Sequence, residues 1–131
     1  MENKILQEEI LKNLKFLQSE HSYTLLKNEN HWLGGVIIEY KKGEHIISIL
    51  YDKRERWFVT KLFSFTQENK THMYLVEELR KKCSTLQNQN IAIEKDAEIL
   101  IFLKSFSNCL KNNFYTVLDN FEKGNYFGGD N

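Results

Sequence analysis

The residues able to do chemistry in this chain are a few histidines, two cysteines and two runs of charge, and their spacing limits what they can do. His21, His31, His45 and His72 fall in four different elements or turns, and no two share the helical spacing of a ligand pair. Although three of them could converge in space, each reads as a strand-end or surface residue. A catalytic thiol needs a base within hydrogen-bond reach. Cys83 sits on the apolar stripe of a helix, where cysteine behaves as a small hydrophobe, and Cys109 adjoins the stripe residue Leu110. Both read as structural. Two cysteines make no disulfide framework, and there is no CxxC or Cys/His cluster to hold a metal.

Glu39-Tyr40-Lys41 sets an acid and a lysine two apart, on one side of a strand, as in the E-x-K pair of metal-dependent nucleases. Those enzymes add an upstream aspartate, and here none precedes Asp52. A solvated strand end is the simpler reading. Gly34-Gly35 lacks the G-x-G-x-x-G or P-loop context of a phosphate site, and a close backbone approach at a strand start accounts for it. Asp52-Lys53-Arg54-Glu55-Arg56 is charged at every position, directly before Trp57. Such a turn solvates a hairpin tip and blunts a sheet edge, or it forms a specificity rim around an aromatic anchor.

These residues must be positioned by elements that the apolar period reveals. From Asn3 to Ser19, Leu6, Ile10, Leu14 and Leu17 recur in steps of four, four and three, which predicts a helix. From His21 to Phe65 the period falls to two, giving strands over Tyr23–Lys27, Gly35–Tyr40, His45–Tyr51 and Arg56–Phe63. Asn28-Glu29-Asn30, Lys41-Lys42-Gly43 and Asp52-Lys53-Arg54-Glu55 are the turns, and Gly43 supplies a positive φ. Connections this short make neighbours antiparallel, because parallel strands need a long crossover. The third and fourth strands are apolar on both sides, so both faces of the sheet are expected to be covered, by helices, by a second subunit or by a partner.

Beyond the loop Gln67-Glu68-Asn69-Lys70, a helix is expected from Thr71, its N-cap, to Ser84. After a linker at Gln87-Asn88-Gln89-Asn90, a long helix from Ile93 to Phe121 follows, with a kink or break at Ser107-Asn108 or Asn112-Asn113, which form helix poorly. The fold class is therefore α+β: a four-stranded antiparallel meander with an N-terminal helix and two or three C-terminal helices. Residues 1–123 form a single domain, and 124–131 a flexible tail that frays.

Composition narrows the function classes. Eighteen basic residues balance eighteen acidic ones, whereas a nucleic-acid binder draws its affinity from a basic excess. Zero net charge also weakens the repulsion between copies, which makes a homodimer possible. The longest apolar stretch, Ile99 to Leu103, is far too short to cross a bilayer. The N-terminus opens an amphipathic segment rather than a signal peptide, so a cytoplasmic location is expected. Proline is absent, and the Lys-, Asn- and Ile-rich usage accompanies AT-rich bacterial genomes.

The order of elements, with the Ile-Ser-Ile-Leu-Tyr-Asp-Lys-Arg strand and turn, the Tyr74-Leu75-Val76-Glu77-Glu78-Leu79 helix and the Leu110-Lys111-Asn112-Asn113-Phe114-Tyr115-Thr116-Val117-Leu118 helix end, resembles small bacterial immunity proteins of polymorphic toxin systems. The resemblance covers most of the chain as a layout of apolar positions. It implies a non-catalytic protein, with no cofactor, that binds and blocks one cognate toxin, and it assigns no contact residue. The alternatives are a homodimeric regulatory or adaptor protein, of phage origin among other sources, and a small metal-dependent nuclease. The partner-binding residues expected from the sequence itself are Tyr51, Asp52, Arg54, Arg56 and Trp57, because interface energy concentrates in Trp, Tyr and Arg. The competing reading puts Tyr51 and Trp57 in the core and passes the role to the long helix with Phe102 and Tyr115.

Overall fold

A computed structural model of the chain describes residues 1–32, 34–64, 72–87, 95–124 and 126. The apolar spacing at the N-terminus does wind a helix, in two pieces, α1 (Asn3–Asn13) and α2 (Lys15–His21). Leu14 between them leaves helical geometry at φ −104° and ψ 12°. Asn13 donates its side-chain amide to the Glu9 carbonyl at 2.8 Å. Asparagine competes for backbone groups in this way, which weakens a helix locally. Ser22, in the left-handed region at φ 60°, then turns the chain into the sheet.

Five strands follow: β1 (Thr24–Asn30), β2 (Gly35–Lys42), β3 (His45–Asp52), β4 (Trp57–Ser64) and β5 (His72–Tyr74). They pair antiparallel in chain order. The meander is thus the expected one with a fifth strand added. His72-Met73-Tyr74, expected inside a helix, instead pairs with Phe63, Leu62 and Lys61 and drives Met73 into the core. The helix itself, α3 (Leu75–Arg80), starts only after it, with Tyr74 in the N-cap position; Thr71 lies outside the described residues. β1 runs through Asn28-Glu29-Asn30, expected as a turn, because those residues pair with Ile38, Ile37 and Val36. A bulge at Leu26 interrupts the ladder between Leu25 and Lys27. The Gly43-Glu44 turn joins Lys42 to its partner His45 with Gly43 at φ 58°, the arrangement of a II′ hairpin.

Cross-strand register sorts the side chains into two faces. Val36, Ile38 and Tyr40, then Ile47, Ile49 and Tyr51, then Phe58 and Leu62 with Met73, point to one side and join the main core. The helices supply the rest of that core. α1 and α2 give Leu6, Ile10 and Leu17, α3 gives Leu75 and Leu79, α4 (Ser84–Gln87) gives Leu86, and α5 (Asp96–Glu122) gives Phe102, Phe106 and Leu110. The opposite face carries Ile37, Glu39 and Lys41 on β2, Ile46, Ser48 and Leu50 on β3, and Val59, Lys61 and Phe63 on β4. None of these outward residues belongs to the main core. The described helices therefore cover one face of the sheet.

α5 departs from helical geometry at Asn113 (φ −120°, ψ 16°), inside the Asn112-Asn113 pair where a break is expected. The Asn113 side-chain amide donates to the Cys109 carbonyl at 2.9 Å. Cys83 and Cys109 do not stand as two separate small hydrophobes: they form a disulfide that ties the turn after α3 to the middle of α5. Cys83 lies in the turn that follows α3, and Cys109 is buried on α5 beside Leu110. The packing of α3 on α5 brings the Cα atoms to 6.2 Å, within bonding range. The loop 67–70, the linker residues 88–90, the first residues of the expected long helix and the tail apart from 124 and 126 lie outside the described residues.

His21, at the end of α2, is buried and stacks on Phe114 of α5 with ring centroids 3.8 Å apart. Burial pushes its pKa below 6.5, against the pull of Glu20 and with the help of Lys42. The unfolded chain therefore takes up a proton at His21 before the folded chain does. The stability associated with the neutral ring is complete above the unfolded value of 6.5 and is lost as pH falls below it. Thermal melts from pH about 7.5 to about 5.5 should show a decline that is shallower in His21→Phe, where the stack survives and the proton site does not. Parallel curves for the two proteins would contradict this.

Candidate protein-binding surface

Meander topology sends the β1–β2 and β3–β4 connections to the same end of the sheet. Gly35 locks them together. Its φ of 87° and its contact with the Tyr51 carbonyl leave no room for a Cβ, so the backbone of β2 lies directly on β3 there. Gly34 lies against Lys53, the first residue of the neighbouring tip. One surface thus collects His31, Trp32, Gly34 and residues 53–56, with Trp57 at its margin.

The structure divides the five residues expected here. Tyr51 is buried in the core, its ring 4.8 Å from that of Phe58. Burial pushes its phenol pKa up, against the pull of the Arg56 charge. Asp52 is also buried, and its Oδ1 accepts from the backbone amides of Arg54 at 3.0 Å and Glu55 at 3.2 Å. It folds the turn rather than facing solvent. Arg54, Arg56 and Trp57 are exposed. Arg54 and Glu55 stand 3.8 Å apart as an exposed ion pair. Such a pair adds little stability, so both are free to exchange partners. Arg56 takes the left-handed conformation at φ 57°, which L residues adopt at a cost of about 1 kcal/mol or more. That kink starts β4 one residue later than expected and turns the Trp57 side chain to the outward face, where it is 41% exposed.

Trp32 has no counterpart in the sequence reading. It sits on the β1–β2 tip with 85% of its surface exposed, its ring 5.9 Å from that of His31. A lone tryptophan between two strands carries no periodic signal, so only its packing could reveal it. Behind the tips, Tyr51, Arg56, Asn3, Asp96 and Ile99 line a cavity of about 210 Å³, closed in part by the chain's terminal ammonium, 2.9 Å from the Asp96 carboxylate. On α5, Phe102 is buried, while Tyr115 is exposed and edges onto His21 and Phe114.

The residues of possible chemistry stay apart. Among the described residues no group of three or more His, Cys, Asp or Glu is placed to hold a metal ion. Glu39 and Lys41 do share the outward face, where Glu39 lies 4.0 Å from Lys27 on β1. No described helix is long and apolar enough to cross a membrane. No family model, curated protein or solved structure matches the chain.

Proposed function

We propose that the chain is a non-catalytic protein-binding module, an inhibitor of the immunity type that binds and neutralises a cognate bacterial toxin. The observation that carries the reading is the pair of adjoining hairpin tips presenting Trp32, Arg54, Arg56 and Trp57 to solvent. Large rings and guanidinium groups dominate binding energy when a partner desolvates them. A buried Asp52 that fixes the turn, and a Gly35 that clamps one tip to the other, keep that surface ordered before contact, which lowers the entropy lost on binding. Glu55, between the two arginines, adds charge complementarity and with it partner selection. The compartment that goes with this reading is the cytoplasm, where the inhibitor meets a toxin that acts inside the cell. There Cys83 and Cys109 would be held as thiols.

The reading predicts a toxin encoded beside the chain, and that toxin is the test. Co-expression with its C-terminal domain is expected to restore growth. By calorimetry, Trp32→Ala and Arg54→Ala should each weaken binding by at least about 2 kcal/mol, roughly 30-fold, with unchanged melting temperatures. Failure of the wild-type chain to protect would remove the inhibitor reading. Protection that survives both substitutions would move the contact away from the tips.

A further inference from the structure

The outward face of the sheet is patterned to pack on a copy of itself. Its cross-strand rows run along the register. Ile37, Leu50 and Val59 form one apolar row. Glu39, Ser48, Lys61 and Tyr74 form the next, extended by Lys27 on β1, and Lys41, Ile46, Phe63 and His72 form the last. Ile37, Leu50, Val59 and Phe63 are only half-buried, although they sit in or beside the central strand, and the core cluster includes none of them. Sheets whose strands alternate cleanly can leave one face to water; a face this apolar belongs against another layer.

We propose that this face is the interface of a homodimer, with the molecular twofold running along β3. The charges select that axis. A twofold along β3 lays β2 of one copy over β4 of the other at the same row, so Glu39 meets the second copy's Lys61, twice per dimer. Ile37 meets Val59, Leu50 meets its own counterpart, and the small Ser48 on the axis lets the sheets approach. Lys27 meets the Tyr74 ring of the other copy, the kind of contact Lys61 already makes with Tyr74 at 5.6 Å within one chain. A twofold across the strands through the same row would instead bring Glu39 onto Glu39 and Lys61 onto Lys61. Sheets packed face to face align their strands to within about 30° at a separation of about 10 Å, which keeps these rows in register near the axis. With β1 laid over the short β5 of the other copy, strands about 4.8 Å apart overlap over roughly 500 Å² per copy, and the resulting total of about 1,000 Å² is the size a specific interface has to clear. The zero net charge of the chain leaves no global repulsion to oppose it.

The interface is separate from the tips that carry the proposed function, so either proposal can fail alone. Sedimentation of the full chain from micromolar to millimolar concentration is expected to reach twice 15.6 kDa. Glu39→Lys and Lys61→Glu should each raise the dissociation constant about tenfold or more, because each places two like-charge pairs in the interface. An equimolar mixture of the two variants should dimerise again, since the basic side chains at positions 39 and 61 of one copy then face the acidic ones at 61 and 39 of the other and both contacts regain opposite signs; loss of fold cannot produce that recovery. A wild-type chain that stays at 15.6 kDa throughout would overturn the proposal, leaving the face to a different protein or to another segment of this chain. So would variants that remain monomeric when mixed.

Discussion

Phe58→Ala is expected to destabilise the protein by about 4 kcal/mol, while truncating its neighbour Trp57 changes stability by less than about 1 kcal/mol. The contrast follows from strand alternation. Phe58 points inward, stacks on Phe102 of α5 at 4.7 Å and touches Tyr51, so its ring joins sheet to helix. Phe102 continues the stack to Phe106 at 5.9 Å, which extends the damage of an Ala cavity along the helix. Trp57 points outward and leaves 41% of its surface in water. Denaturant titrations with a shared slope would read the two midpoints directly. A large loss in Trp57→Ala would return that ring to the core and take it out of any binding surface.

Reducing the Cys83–Cys109 bond should lower stability by about 3.5 kcal/mol and the melting temperature by about 10 °C. The bond closes a loop of 26 residues, and opening it releases that loop in the unfolded chain. The folded chain changes less, because Cys109 is buried against the Leu79 carbonyl and both sulfurs lie near the Asn113 amide. Melts with and without reductant measure the effect, and a Cys83→Ala/Cys109→Ala variant should melt near the reduced protein and ignore the reductant. Equal melting temperatures for the wild type in both conditions would show that the loop is held by packing alone.

Where local signals agree with tertiary packing, the sequence reads correctly. β2 and β4 alternate in burial over eight residues each, β3 is apolar along most of its length, and short polar turns join the three, so their pairing is legible at once. β5 is not, because a three-residue strand shows a single inward side chain, Met73, and the helical stripe beginning at Leu75 absorbs it. The split at Leu14 hides for a related reason: Leu14 itself keeps the helical spacing and is fully buried, while the departure is in the backbone. Apolar residues on both sides of β3 suggest a second covering layer, and on its outward side Ile46 and Ser48 are buried while Leu50 is half-buried. The disulfide needs the packing of α3 on α5, which no spacing along the chain encodes.

At the candidate surface the sequence singles out one end of the sheet but does not separate its layers. Asp52 and Arg54 look equally available in a charged run, and only the turn geometry shows that the carboxylate is consumed by two backbone amides. Trp32 lies on the other tip, far upstream of Asp52 in the chain and brought close by the clamp at Gly35.

The bulge at Leu26 has a consequence for how copies of this chain avoid one another. β1 is an edge strand exposed along nearly its whole length, with Leu25 and Leu26 open to solvent, and a regular edge of that kind templates further strands without limit. Inserting Leu26 breaks the even spacing of the outer amides and carbonyls and bends the strand, so an incoming strand cannot keep its ladder past Leu25. Edge growth would be heterologous and open-ended, the geometry of a fibre, whereas a twofold between faces closes at two. One extra residue in β1 thereby blocks the unbounded route, and the twofold proposed above is a bounded one.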